Sequence, residues 1–253
     1  MNIILVGCEY SGTTTLAVAI TYWAKEAVSA DFGFHDHWKV PHLGHPKSDS
    51  PEHLQQMVSD WKEGKGEDPT RSGFSAEEQD LFLALTPGQQ EQYQRYHMYY
   101  HLSDDFYRYR HHNMVGMHID EAVYAGLYYG YGGDGQYAER EVMARNLENI
   151  ILEKAPNTVL ILVKATPEVI RSRMKENPHY NGLVKDKDVE HVLGRFEEEF
   201  DRSIIKNKFT IDTNASTVEE SLCDFVEKID EFLTDSDRTD ILVNKAKSRD
   251  QWV

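Results

Sequence analysis

A run of aliphatic residues passes directly into a glycine loop near the start of the chain, in the stretch Ile3-Ile4-Leu5-Val6-Gly7-Cys8-Glu9-Tyr10-Ser11-Gly12-Thr13-Thr14-Thr15. The first four residues are aliphatic and mostly β-branched, which is typical of a parallel strand buried on both faces. From Thr15 to Val28, apolar residues recur at every third or fourth position, which predicts an amphipathic helix. Strand, glycine turn and helix in this order favour an α/β fold.

The rest of the chain continues this alternation. Short apolar runs predict a weak strand at 32–34, a strand at 114–119 that ends at Asp120-Glu121, and strands at 158–163 and 209–212. Helical spacing predicts helices at 138–154, 169–175 and 218–233. Strands that alternate with helices imply right-handed crossovers, so we expect three layers, with a parallel sheet covered by helices on both faces.

Residues 39–113 interrupt the alternation. Residues 39–75 are rich in His, Pro, Gly, Ser and charged residues, which indicates an irregular excursion. Residues 77–110 carry helical spacing that is broken at Thr86-Pro87-Gly88, so two helices packed as a cap are expected. We therefore expect one domain over 1–233 with an inserted, mainly helical cap at about 39–113, and a loosely packed charged tail at 234–253.

Composition excludes several classes of function. The chain has 253 residues, of which 40% are hydrophobic and 28% charged, as in a soluble globular protein. A net charge of −16 disfavours general nucleic-acid binding and membrane-surface binding. Cys8 and Cys223 lie far apart, which favours a reducing compartment, and no apolar run reaches about 18 residues. These features predict a cytoplasmic protein without a membrane partner.

The glycine loop has the spacing of a phosphate cradle. Gly7 and Gly12 lie five apart between a strand and a helix, so backbone N–H groups of residues 8–14 can converge on an anion, and Thr14 has the hydroxyl position that binds Mg²⁺. The full pattern is G-x-x-x-x-G-K-[ST], whereas position 13 is Thr. One contact to a charged group, which contributes about 1.5–3 kcal/mol, is therefore missing. A plain strand-to-helix turn is the alternative interpretation.

The loop Gly-Cys-Glu-Tyr-Ser-Gly-Thr-Thr-Thr resembles the G-x-E-x-S-G-K-[ST]-T loop of P-loop nucleoside and nucleotide kinases, of the thymidylate kinase and deoxynucleoside kinase type. Residues 119–130 are similar to their Asp-Arg or Glu-Arg motif and the Ser/Tyr-rich helix start that follows it. Residues 159–174 resemble their fourth strand and the arginine-bearing start of a mobile lid, here about 171–190. The resemblance covers about 1–38 and 114–233. It implies a P-loop NTPase fold, ATP or another NTP with Mg²⁺ as cofactors, and nucleotide contacts from all nine residues, Gly7 to Thr15.

Two departures from this family affect the expected chemistry. Some archaeal cytidylate kinases resemble this chain in lacking the loop Lys, so Thr13 implies a substitute cation. Arg171, Arg173 and Lys175 are candidates, because a lid can bring one helical face over the phosphates; solvated surface residues are the alternative. Glu121 stands where the family has Arg, which weakens a nucleoside monophosphate as the acceptor.

Carboxylates at predicted strand ends supply the remaining chemistry. Asp120 ends a predicted strand and is assigned a role at the Mg²⁺ site, with a helix N-cap as the alternative. Asp36 follows the second predicted strand in His35-Asp36-His37-Trp38, and deoxynucleoside kinases carry an acidic base and then a Trp in a similar place. By that resemblance Asp36 is the candidate base that orients the acceptor, and Glu121 competes for this role.

Histidines and tyrosines are abundant without forming a recognised motif. The spacing of His35, His37, His42 and His45 fits no known zinc pattern, so a substrate pocket or an exposed loop is favoured over a metal site. His97 and His101 lie four apart but lack the Glu of a zinc-peptidase motif, and we expect them to pack within the cap. The tyrosines at 93–109 and 124–131 suit either a planar ligand or cap packing.

These features predict ATP-dependent phosphoryl transfer to a hydroxyl or phosphate of a small molecule, with catalytic roles for Asp36, Asp120, Glu121, Arg171 and Arg173. A nucleotide-binding protein without transfer activity is the alternative, because of Thr13 and Glu121. An NTP-hydrolysing switch is less favoured, since no water-positioning Gln is recognisable. The expected partner is a small-molecule acceptor bound by the cap and lid, and a homodimer is compatible with the sequence.

Overall fold

One parallel sheet organises the computed structural model, which describes residues 1–37, 56, 59 and 75–250. Its strand order is β2-β3-β1-β4-β5. The strands are β1 (Asn2–Val6), β2 (Gly33–Asp36), β3 (His112–Val115), β4 (Val159–Lys164) and β5 (Lys208–Asp212). Leu5 of the central strand pairs with Val115 on one side and Ile161 on the other, and all pairings are parallel.

Helices cover both faces of this sheet. In the described residues they are α1 (Thr13–Ala27), α2 (Ala76–Leu83), α3 (Pro87–Tyr100), α4 (Met117–Tyr124), α5 (Arg140–Lys154), α6 (Pro167–Glu176), α7 (Val189–Arg202), α8 (Val218–Ile229) and α9 (Asp235–Asp250). A π-helical turn, Ala125–Tyr129, extends α4. No helix in the described part of the chain is long and apolar enough to cross a membrane.

The side chains of β1 alternate between two cores. Ile4 and Val6 pack with α4, α5 and α7 on one face, while Ile3 and Leu5 pack with α1 and α8 on the other. All four side chains are fully buried, and burying each contributes about 1.5–3 kcal/mol. The expected three-layer α/β fold with a strand buried on both faces is confirmed.

The predicted strand over 114–119 is wrong in its bounds. β3 ends at Val115, Gly116 turns the chain with φ 75°, and α4 begins at Met117. Met114 to Ile119 is apolar on both sides of the glycine, and a short apolar run does not distinguish a buried strand from a buried helical turn. Asp120 consequently lies in the first turn of α4 and not at the end of a strand.

The helical half of the cap agrees with the sequence. Ser75 and Thr86 cap α2 and α3, with Pro87 as the first residue of α3. Residues 39–55, 57–58 and 60–74, together with Trp38, lie outside the described residues, so the predicted excursion with His42 and His45 is not described.

The charged C-terminal segment differs from the expected loosely packed tail. Residues 235–250 form α9, and the side chain of Asp237 is buried. One oxygen of Asp237 lies 2.7 Å from the N-terminal amine, and its backbone N–H donates to the Thr234 hydroxyl. The start of α9 is thus attached to the core beside β1.

Candidate active site

A cavity of about 440 Å³ lies beyond the carboxyl ends of β1, β2 and β3. Every loop residue from Gly7 to Thr15 except Ser11 lines it, as do Asp36, Asp120 and Arg173. Ligands of open parallel sheets bind at this edge. The structure therefore brings together the loop, two of the three predicted carboxylates and one of the two predicted arginines.

The loop backbone is a tight turn at the start of α1. Gly12 has φ 90° and directly precedes the helix, and Tyr10 also has a positive φ, of 70°. At Gly7 a Cβ atom would lie 2.7 Å from the Val163 carbonyl oxygen and equally close to two loop hydroxyls, so only glycine fits. The N-terminal N–H groups of the 15-residue α1 point out of this turn and favour an anion there.

Thr13 leaves the lysine position uncharged. Its side chain is buried, and its hydroxyl oxygen lies 2.7 Å from the Ser11 hydroxyl oxygen. Thr13 thereby braces the loop from within, while Thr14 also lines the cavity. A positive charge beside the loop therefore has to come from another element.

Arg173 of α6 reaches this loop. Its Nη1 donates to the Tyr10 carbonyl at 3.0 Å, and its Nη2 donates to the Thr213 carbonyl at 2.6 Å. A Cβ atom on Gly12 would lie 3.8 Å from Nη1, so the guanidinium borders the last turn of the loop. Burial lowers the pKa of Arg173, which remains a cation at neutral pH. Among the described residues that line the cavity, Arg173 is the one Lys or Arg.

Arg171 does not line the cavity. Its Nε donates to Asp186 at 2.9 Å and its Nη2 to Glu190 at 2.7 Å, next to α7. Residues two apart on a helix face different directions. The structure thus places only one member of the predicted arginine pair at the loop, and Lys175 is exposed away from the cavity.

Two carboxylates face the loop from neighbouring elements. Asp36 ends β2, and Asp120 projects from the first turn of α4. Burial, with Asp36 and Glu121 nearby, raises the pKa of Asp120 well above its usual range. Its Oδ1 is buried and accepts no hydrogen bond from the described residues.

This donor set suits a hard divalent cation. Mg²⁺ prefers carboxylate and hydroxyl oxygens and usually keeps some of its waters. The buried carboxylate oxygen of Asp120, a second carboxylate nearby and the hydroxyl of Thr14 in the same cavity are such ligands, and a cation there would stabilise the ionised form of Asp120. The residues present therefore fit Mg²⁺.

Glu121 does not line this cavity but a small pocket that it shares with Asp120. It accepts a hydrogen bond from Arg140 Nε at 2.8 Å and one from the Tyr131 hydroxyl at 3.2 Å. The fully buried Arg140 also pairs with Glu91 of α3 at 3.0 Å. Burial raises the pKa of Glu121 despite the opposing effect of Arg140. Glu121 thus joins α4 to α5 and the cap.

Glu9 links the loop to the lid, a contact that sequence reasoning missed. Its Oε2 accepts the backbone N–H groups of Leu183 at 2.7 Å and Val184 at 3.0 Å. His179 Nδ1 lies 2.7 Å from Oε1, and the His179 ring stacks on Tyr10 at 4.0 Å. Since α6 extends to Glu176, the predicted lid starts with a helix, and its loop portion is 177–188. A glutamate in the middle of a phosphate-type loop was the feature of the sequence that could have indicated this contact.

Comparisons with known proteins bear on the fold alone. No family model and no curated protein matches the chain. A deoxyadenosine kinase from M. mycoides with bound dATP superposes with a TM-score of 0.52 at 14% identity, covering 91% of this chain and 100% of that one. A thymidylate kinase from Candida albicans gives 0.47 at 12% identity, covering 91% of each chain. An unliganded sugar kinase from Janibacter sp. gives 0.40 at 13%, covering 92% of this chain and 98% of that one. The first of these three similarities, together with the loop and the parallel sheet, identifies the chain as having the P-loop kinase-like fold.

Proposed function

We propose that this protein transfers a phosphoryl group from ATP, or another NTP, to a hydroxyl or phosphate of a small molecule. The observation that carries the proposal is the shared cavity: a phosphate-type loop, two carboxylates and an arginine line it together. Phosphoryl transfer needs positioning and charge stabilisation more than covalent chemistry, and these groups can supply both.

The donor phosphates bind over the loop in this proposal. Backbone N–H groups of residues 8–14 and the start of α1 donate to phosphate oxygens. Arg173 supplies the positive charge that Thr13 does not, from the position where its guanidinium borders Gly12. The contacts of Glu9 with the lid backbone hold residues 183–184 against the loop and limit the access of water.

Thr14 and Asp120 would hold Mg²⁺, with Asp36 close by. The ion, when bound, neutralises charge on the transferred phosphoryl group. Asp36 then orients an acceptor hydroxyl and accepts its proton, while the acceptor oxygen bonds to the γ-phosphorus and the bond to the β-phosphate oxygen breaks. For a phosphate acceptor that is already ionised, only the positioning role applies.

The cap and lid are the proposed acceptor pocket. Gln79 of α2 lines the cavity, and its Oε1 accepts a long hydrogen bond of 3.4 Å from the side-chain amide of Asn181 in the lid. Tyr180 of the lid contacts Asp80 of α2 in the same way, at 3.3 Å. An acceptor entering between the loop and α2 would meet these polar groups.

Purified protein incubated with Mg²⁺, ATP and a panel of nucleosides, nucleotides and sugars provides the test, with products identified by mass spectrometry. Asp36→Asn is expected to lower kcat about 10²–10⁴-fold while ATP binding persists. Asp212→Asn, an exposed carboxylate at the end of β5, is the matched control and should keep full activity. Normal ATP binding with no product from any acceptor would instead favour a nucleotide-binding protein without transfer activity.

A further inference from the structure

We propose that His37, His97 and His101 form a binding site for a divalent transition metal of the Zn²⁺ type. His37 follows β2, whereas His97 lies in the last turn of α3 and His101 directly follows that helix. One ligand nitrogen from each residue lies within 4.8 Å of the other two. The proposal goes beyond phosphoryl transfer, and binding can be measured without a nucleotide.

The three rings pack against one another, with His37 stacked on His97 at 25° and edge-on to His101 at 65°. The His37 ring centroid lies 4.2 Å from that of His97 and 4.3 Å from that of His101, and the latter two are 5.0 Å apart. Tetrahedral Zn²⁺ with bonds of about 2.0–2.1 Å requires nitrogens about 3.3 Å apart. The nitrogens thus have to approach one another by at most about 1.5 Å, so metal binding requires the stacked rings to rotate relative to one another.

A backbone contact already orients one ligand. His101 Nδ1 lies 2.8 Å from the His97 carbonyl oxygen, which can only accept, so Nδ1 carries the proton. The lone pair of His101 is then on Nε2. A histidine that donates its other N–H to a carbonyl in this way is the usual second contact of a metal-bound imidazole.

A neutral imidazole is the form that binds metals, and burial favours this form at His101. Burial lowers the pKa of His101 to about 3, with His97 and His112 adding to the effect against the hydrogen bond to the His97 carbonyl. The His35 ring lies next to this cluster, with its centroid 5.1 Å from that of the His101 ring. Burial also lowers the pKa of His35 well below its usual range. An all-imidazole set favours Zn²⁺, Cu²⁺, Ni²⁺ or Fe²⁺ over Mg²⁺, which prefers oxygen ligands.

The site would connect the cap to the catalytic edge of the sheet. His37 follows Asp36 directly and lines the same cavity, so a metal bound to all three histidines would fix α3 beside the candidate base. Three protein ligands leave a fourth position for water or a bound group.

Zinc binding by the full-length chain tests the proposal. The protein is stripped with a chelator, desalted, and titrated with Zn²⁺ against a chromophoric competitor in excess Mg²⁺, which keeps the oxygen site occupied. One tight equivalent is expected, and Co²⁺ in its place should give the visible spectrum of nitrogen ligands without a thiolate charge-transfer band. His97→Gln and His101→Gln should each weaken zinc binding at least ~100-fold.

His191→Gln, at an exposed histidine of α7, is the matched control and should bind Zn²⁺ like the wild type. Circular dichroism and the apo-protein Tm check that each variant folds. If the His101 variant misfolds, the result for His97→Gln decides whether the site exists, because His97 is only partly buried. The proposal is overturned if no equivalent of Zn²⁺ binds, if His97→Gln binds it unchanged, or if binding requires His42 and His45 or a cysteine instead.

Discussion

Replacing Arg173 by Gln tests whether this residue substitutes for the lysine that the loop lacks. The variant removes a positive charge that borders Gly12, together with the hydrogen bonds from the guanidinium to the Tyr10 and Thr213 carbonyls, and leaves a shorter polar side chain. Weaker binding of the ATP phosphates is therefore expected, with the overall fold retained.

The size of the effect follows from the position of the guanidinium. A hydrogen bond to a charged group contributes about 1.5–3 kcal/mol, and Arg173 is only half-buried, so solvent places its contribution near the lower end. A loss of about 1.5–2 kcal/mol corresponds to an increase in the Kd for ATP of about 10- to 30-fold. Arg173→Lys keeps the charge without the planar fork and should recover part of this loss.

Isothermal titration with ATP and Mg²⁺ measures the Kd of each variant. Arg238→Gln is the control, since it removes the same charge from an exposed arginine that pairs with Asp230 at 2.9 Å. Asp230 follows the far end of α8, nine residues and about 14 Å along the helix from Ser221, which lines the cavity. The same ATP affinity in Arg173→Gln, Arg238→Gln and wild type would refute the assignment. A large fall in the apo-protein Tm would indicate a structural role instead.

Three further substitutions address the loop, the lid and a buried carboxylate. Gly7→Ala should destabilise the protein by about 1–3 kcal/mol in urea unfolding and abolish ATP binding, because its Cβ would meet the Val163 carbonyl at 2.7 Å. In Gly194→Ala the new Cβ meets no described atom within 4 Å, so this variant should instead be more stable by about 0.5–1 kcal/mol. Glu9→Gln should speed hydrogen exchange at the Leu183 and Val184 amides about tenfold or more, since their charged acceptor is lost, and unchanged exchange would contradict the lid contact. Burial raises the pKa of Glu148, but hydrogen bonds from His118 and the Ile204 N–H outweigh it, so the pKa is lowered. The stabilisation by the ionised Glu148 is therefore present above the unfolded pKa of about 4.3 and is lost as the pH falls through the folded value. Glu148→Gln should lower the free energy of unfolding at pH 7, and the difference from the wild type should become smaller in acid. A difference that does not change with pH would disprove the linkage.

The sheet could be predicted because its strands are locally distinctive. Ile3 to Val6 and the run 158–163 are short, mostly aliphatic and followed by turns, so both their hydrophobic pattern and their length indicate strands. The strand at 114–119 was placed wrongly because Gly116 divides a uniformly apolar run, and only the positive φ of that glycine separates strand from helix. Local pattern thus determined the elements but not every boundary.

The site was less predictable where the decisive contacts are distant in sequence. The loop is a local motif, but Arg171 and Arg173 look equivalent until Asp186 and Glu190 draw one of them toward α7. Glu121 looks catalytic until Arg140, 19 residues later, pairs with it.

The histidine cluster shows the same limitation at longer range. His37 and His97 are 60 positions apart in the chain, and no sequence spacing connects them. Packing of α3 against β2 brings their rings together. Tertiary packing, more than residue type, therefore selects which polar side chains can act together.

The charge around the cavity has a consequence for the order of binding. Glu9, Asp36, Asp120 and Glu176 line it against a single arginine among the described residues, in a chain whose net charge is −16. A free triphosphate would meet these carboxylates at short range, where salt screens poorly. Mg²⁺ removes part of this repulsion because one cation offsets the negative charge of the phosphate oxygens and of the carboxylates that hold it. ATP and Mg²⁺ should therefore bind with strong positive coupling, and Asp120→Asn should reduce this coupling by weakening Mg²⁺ binding. Equal ATP affinity with and without Mg²⁺ would contradict this electrostatic account of the site.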